Sequence, residues 1–162
     1  MVPGDMLGMH RWIRTLPPTI SMKHIPNILG GLLGLLFISV SLMFFLDMMP
    51  DQPAPPEGSP PAMFMDAIMP TGYMHFVKTC EFLGGILVAI PLTRNIGLLF
   101  LGPVILNILA FHVFLTGGQG LLDPMIIVIC LIAAYLLWDG RAKFAGLLNR
   151  PSAANNPRAT KP

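Results

Sequence analysis

From Ile25 to Leu46 the sequence runs for twenty-two residues without a charged side chain. This stretch limits the possible folds more than any other feature. About 20 apolar residues wound as an α-helix cross the ~30 Å hydrocarbon core of a bilayer. In hydrocarbon every backbone N–H and C=O needs an internal partner, which a helix supplies and a lone strand does not. The expectation is an all-α integral membrane protein. Composition agrees: 54% of the 162 residues are hydrophobic and 11% are charged, where a soluble domain carries about 25% charged residues. So few charges cannot cover a soluble surface of this size.

Three further apolar stretches, at about 72–92, 96–116 and 121–138, join 25–46 to give four expected spans in one domain over residues 25–140. Gly30, Gly31 and Gly34 suit close helix approach in the first span. Asp123-Pro124 reads as an N-cap followed by proline at the first helical position. Trp138 reads as an interfacial anchor. The first connection, Asp47 to Ala62, is acidic and Pro-rich and reads as an external loop. After it, 61–69 suits a short interfacial or re-entrant helix, and Pro70-Thr71-Gly72 a turn. The connections at Thr93-Arg94-Asn95 and Gly117-Gly118-Gln119-Gly120 are tight, which makes the helices they join antiparallel.

The basic residues set the orientation. Arg11, Arg14 and Lys23 precede the first span, Arg94 lies in the second connection, and Arg141, Lys143, Arg150, Arg158 and Lys161 follow the last span. Nine of the ten basic residues therefore fall on one side, which is expected to be cytoplasmic. The expected molecule is a four-helix bundle in a bacterial inner membrane with both termini inside. Residues 1–24 read as a basic cytoplasmic arm. They do not read as a signal peptide, because the following apolar run is long enough to span and no Ala-x-Ala-like site follows it. Residues 141–162 read as a basic, disordered cytoplasmic tail. The small net charge of +2 gives no support to nucleic-acid binding.

The tenth basic residue, Lys78, lies inside the second span three residues before Glu81. Charges at membrane depth are expensive, face the protein interior and mark sites. On a helix His75, Lys78 and Glu81 fall within an arc of about 120°, and Lys78 and Glu81 can pair directly. Measured from the outer end, Asn107 in the third span is level with Glu81, and His112 is close to His75. The candidate site is thus Glu81, Lys78, His75, Asn107 and His112, stacked in the outer half of one hairpin. Asn107 and His112 lie about 140° apart on their helix, so one of them is expected to meet another element. A coupled Lys–Glu pair suits proton handling. A purely structural network is the bland alternative, although interhelical hydrogen bonds in membranes average only about 0.6 kcal/mol.

Other chemistries find less in the sequence. His75 and His112 would suit axial ligation of a haem or chlorophyll, but one histidine per helix is a thin basis. Seven of twelve methionines lie on the outer side. Thioethers select Cu(I), yet methionine is also an ordinary filler of apolar gaps. Cys80 and Cys130 lie fifty residues apart with no Cys-x-x-Cys and read as small buried hydrophobes. There is no phosphate-binding glycine loop, HExxH motif or nucleophile elbow.

Four short spans and a Pro-rich first external loop are joined by Thr71-Gly72-Tyr73 and Glu81-Phe82-Leu83-Gly84-Gly85-Ile86-Leu87. Pro103-Val104-Ile105-Leu106-Asn107 and Phe111-His112 follow. Together, over roughly residues 26–140, these resemble the DoxX family of small bacterial membrane proteins. The resemblance implies a four-helix bundle linked to quinone-dependent redox complexes, since related proteins serve as subunits of terminal quinol oxidase or thiosulfate:quinone oxidoreductase. It implies Glu81, Asn107 and His112 as site positions, while Lys78 and His75 rest on the physical argument. The expected function is an accessory subunit of a quinone-linked membrane redox complex, not a stand-alone enzyme. The sequence names no cofactor: a quinone headgroup, a proton or a small polar ligand would each suit the site, and other membrane subunits or further copies of the chain are the expected partners. The alternatives are a structural or assembly subunit and, more weakly, small-solute or proton transport.

Overall fold

The computed structural model describes residues 24–50 and 53–148, whose regular structure is entirely helical. Helix α1 spans Ile25–Phe45. A short α2, Pro60–Ile68, runs into a 3-10 turn over Met69–Thr71. Helix α3 spans Tyr73–Ala89, and α4 spans Arg94–Ala110 and widens into a π turn over Phe111–Leu115. Helix α5 spans Pro124–Leu148. The expected N-terminal arm, apart from His24, and residues 149–162 lie outside the described residues. So do six of the basic residues used to assign orientation.

Three helical stretches are long and apolar enough to cross a membrane: Ile25–Phe45, Arg94–Leu115 and Pro124–Gly146. Helix α3, expected as a fourth span, has 17 residues, a length of about 25 Å. Contacts at its two ends show that it runs the length of α1 in the opposite direction. Its His75 ring lies 5.1 Å from the Phe44 ring at the end of α1. Near its other end, the Val88 carbonyl closes on Gly30 in the second turn of α1. Arg94, which opens α4, then donates to Asn27 Oδ1 on α1 at 2.7 Å. The chain has therefore returned to the level where α1 began. Helix α3 packs between α1 and α4, and α5 closes against α4 and α1.

Local chemistry sets the boundaries. Asp47 takes the left-handed conformation (φ 54°) beyond α1, and the Met48 N–H reaches back to the Met43 carbonyl at 2.8 Å. This satisfies one of the carbonyls that a helix end leaves open. At α5 the Asp123 carboxylate accepts the Met125 N–H at 2.8 Å, with Pro124 between them, as the sequence signals. The last helix does not end near Trp138. It continues through Arg141 and Lys143 to Leu148, so the disordered tail expected from residue 141 is corrected over 141–148. Phe144 packs on the core, and Arg141 donates to the Trp138 carbonyl at 2.7 Å while lying over the indole. Those contacts favour continued helix over a free chain, nearly three turns beyond Trp138.

Helix approach is closest at glycines. A Cβ at Gly34 would lie 2.5 Å from the Gly85 carbonyl, and one at Gly84 would lie 2.8 Å from the Leu101 side chain. Gly84 and Gly85, about 100° apart on α3, thus receive α4 and α1 respectively. At Gly97 a Cβ would collide with the α3 backbone at Val88. Leu33, Val88, Leu101 and Leu136 fill the core beside these crossings. The outer surface is apolar: Leu106, Leu131 and Trp138 are 67%, 65% and 69% exposed. Such a surface would aggregate in water and suits contact with lipid.

Candidate functional site

The Lys78 Nζ and Glu81 Oε2 atoms lie 2.8 Å apart on one turn of α3. Their side chains are 12% and 5% exposed. This is the i, i+3 pair expected from the sequence, and it forms one wall of a cavity of about 180 Å³. Helix α4 supplies the facing wall through Val104, Asn107, Ile108, Phe111 and His112. Helix α2 supplies a roof through Phe64, Met65 and Ile68, and the Phe64 ring rests 5.6 Å from Phe111. Tyr73 and Met74 close the cavity where α3 begins.

Four of the five expected site residues meet here, and His75 is not among the lining residues. Each three-residue step on a helix turns the side chain by about −60°, so His75 and Glu81 flank Lys78 from opposite sides. Glu81 faces α4, while His75 is carried toward α1, edge-on to Phe44. His75 and His112 therefore do not share a cavity, and the bis-histidine ligation considered above lacks its geometry. Among the described residues no three of His, Cys, Asp and Glu form a metal-ligand cluster. Cys80 and Cys130 are free thiols.

His112 is oriented from both sides. Its Nδ1 lies 2.8 Å from the Ile108 carbonyl. A carbonyl can only accept, so Nδ1 donates in this contact and Nε2 is left for another partner. The ring passes over Gly120 (φ +84°), where a Cβ would lie 2.8 Å from His112 Cδ2. The His112 carbonyl accepts the Thr116 hydroxyl and the Gly118 N–H, each at 2.8 Å. Asn107 differs: its exposed amide makes no side-chain hydrogen bond to any described residue. It faces the cavity and also a shallow groove on the outer side of the α3–α4 pair.

Two residues outside the expected site prove to be buried polar groups. The register that pairs Gly34 with Gly85 and Phe44 with His75 sets Ser41 level with Lys78. Ser41 is fully buried, and its hydroxyl has no hydrogen-bond partner among the described residues. Arg94, which the sequence places in the second connection, is only 7% exposed. Its guanidinium folds over Gly30 and donates to Asn27. Asp139 on α5 adds its charge nearby. Spacing offers one weak signal for this, because Gly30 lies one helical turn from Asn27 and clears the space that the guanidinium fills.

No family model and no solved structure matches the chain. Over 83 residues it is 34% identical to the uncharacterized protein YwoB of Bacillus subtilis (strain 168). The match covers 49% of this chain and 52% of that relative, so the chain spans about half the length of the relative it matches. The relative's name records no activity, and the functional reading rests on the site. In chemical terms the site offers an ammonium–carboxylate pair, an oriented imidazole, a free amide and apolar walls. It can hold a small polar head and exchange protons with it. The described residues contain no nucleophile held by a base.

Proposed function

We propose that this chain is a four-span membrane protein of the bacterial inner membrane, with both termini cytoplasmic, acting as an accessory subunit of a quinone-linked redox complex. The observation that carries this reading is the Lys78–Glu81 pair, held at 2.8 Å beside a cavity with mostly apolar walls; with α3 as the fourth span, the pair lies at membrane depth. Charges at such depth are retained for a ligand or for proton traffic more often than for stability. A quinone headgroup is polar at its two carbonyls and apolar at its faces, and its reduction takes up protons. Lys78 or Asn107 can donate to a carbonyl, and Glu81 and His112 can exchange protons with the bound ring. The resemblance to the DoxX family supports the same reading, with α3 as the fourth span of the bundle. Beneath the cavity, Leu33, Val88 and Leu101 are completely buried, which weighs against a path through a single copy and so against transport.

The test is quinone binding by the purified chain, and redox activity of membranes containing it, with Glu81→Gln as the variant. Loss of both supports the proposal. A wild-type chain that binds no quinone, with membranes indifferent to Glu81→Gln, overturns it.

One observation favours the assembly-subunit reading. Lys78 and Glu81 neutralise each other within a single helix and need no ligand to do so. On that reading, deleting the chain lowers the amount of a larger complex and leaves the turnover of each remaining complex unchanged.

A further inference from the structure

The α3–α4 groove and the Lys78–Glu81 cavity share a wall: Tyr73, Val77, Val104 and Asn107 line both. On its other sides the groove is bounded by Phe76, Cys80, Leu99, Phe100 and Pro103. These residues belong to the outward faces of the hairpin, which in a bilayer meet lipid. Two polar groups interrupt this apolar surface. Pro103 has no N–H to give the Leu99 carbonyl four residues earlier. The Asn107 amide has no side-chain hydrogen bond among the described residues, although about 20 Å of helix separates it from Arg94 and about 12 Å from the outer end at Leu115. Polar groups left open at that depth are costly and call for a partner.

We propose that the ligand of the cavity is a membrane-dissolved amphiphile that enters sideways between α3 and α4. This inference rests on the proposed function and names the route and the ligand class for that site. The polar head crosses the shared wall at Asn107 and comes to rest beside Lys78 and Glu81. The apolar tail stays in the groove along Phe76, Leu99 and Phe100. Asn107 is then a positioning residue: it meets the head at the wall and holds it within reach of the ion pair. A water-soluble ligand arriving from outside would instead pass beneath α2 and would owe nothing to the groove.

The experiment compares two benzoquinones with the same ring, one carrying a decyl tail and one without a tail, titrated against the full chain in lipid nanodiscs. The wild type is expected to bind the tailed compound at least about tenfold more tightly after correction for partition into lipid, a gain of about 1.4 kcal/mol. Leu99→Trp, which fills the groove and leaves the cavity lining unchanged, should abolish that preference and leave tail-less binding unchanged. Asn107→Leu should weaken both compounds. Equal binding of the two compounds by wild type, indifferent to Leu99→Trp, overturns lateral entry and leaves the headgroup reading standing. Failure of both compounds to bind wild type overturns the proposed function and this inference together. The tail comparison needs no variant, so misfolding of Leu99→Trp would not mask the outcome.

Discussion

Removing one partner of the Lys78–Glu81 pair should cost far more than removing both. At 2.8 Å and an effective dielectric of about 20, the Coulomb attraction is about 6 kcal/mol. Desolvation of two buried ions offsets much of that gain, so the pair contributes little net stability. A single substitution, Glu81→Gln or Lys78→Met, leaves one charge uncompensated and is expected to cost about 3–5 kcal/mol. Partial exposure of Lys78 to the cavity moves that figure toward its lower end. The double variant Lys78→Met/Glu81→Leu keeps similar volume and should fall between neutral and about 4 kcal/mol more stable than wild type. The four proteins form a double-mutant cycle whose coupling energy, from two single losses of about 3 kcal/mol or more and no loss in the double variant, is at least about 6 kcal/mol. Denaturant titration of helical circular dichroism in mild detergent measures it. Single effects that add to the double effect within about 0.5 kcal/mol would refute the reasoning. The double variant also separates the two functional readings. If it folds well and has lost quinone binding, the charges serve the ligand. If it folds well and the partner complex is present in full amount and activity, they serve neither ligand nor assembly.

Gly97→Ala should destabilise the protein by about 1–3 kcal/mol through overpacking against the α3 backbone, while Gly102→Ala, with nothing within 4 Å of the added carbon, should be neutral or slightly stabilising. Melting of the two variants side by side checks this contrast. Arg94→Met should cost about 1.5–3 kcal/mol by removing a charge-assisted hydrogen bond, and Asn27→Ala should reproduce part of that loss in the same assay. In a Cys80→Ala/Cys130→Ala background, Glu57→Cys, at an exposed position of the first connection, should react with a membrane-impermeant maleimide added outside intact cells. Lys143→Cys should react only after permeabilisation, and the reverse pattern would overturn the proposed orientation.

The apolar helices and the Lys78–Glu81 pairing were legible in the sequence because each depends on one helix alone. Uncharged length gives a helix in hydrocarbon, and i, i+3 spacing gives a pair. The features that were not legible depend on several elements meeting. His75 shares a helical arc with Glu81, and only the positions of α1 and α4 reveal that the two serve different neighbours. Arg94 stands next to a turn, where a basic residue is normally solvated. Its burial depends on Gly30, sixty-four positions earlier in the chain. The roof over the cavity depends on α2, whose nine residues follow a Pro-rich loop, and loop composition does not say where such a helix lies. The Ser41 hydroxyl acquires meaning only once the register of α1 against α3 sets it level with Lys78.

The two ends of the bundle are built differently. Toward the end bearing Arg94, glycine crossings and a guanidinium bonded to Asn27 hold the helices at close range. Toward the other end, α4 carries Pro103 and then a π turn, α2 has no buried residue, and the cavity opens. Local openings begin where buried contacts are fewest. Any opening between helices is therefore expected to begin toward that end, while the glycine crossings keep the helices in register. A site that admits and releases a ligand needs that freedom, whereas an ion pair kept only for packing would gain nothing from lying at the looser end. On the proposed function, the pair lies at the end of the fold where a ligand would be admitted.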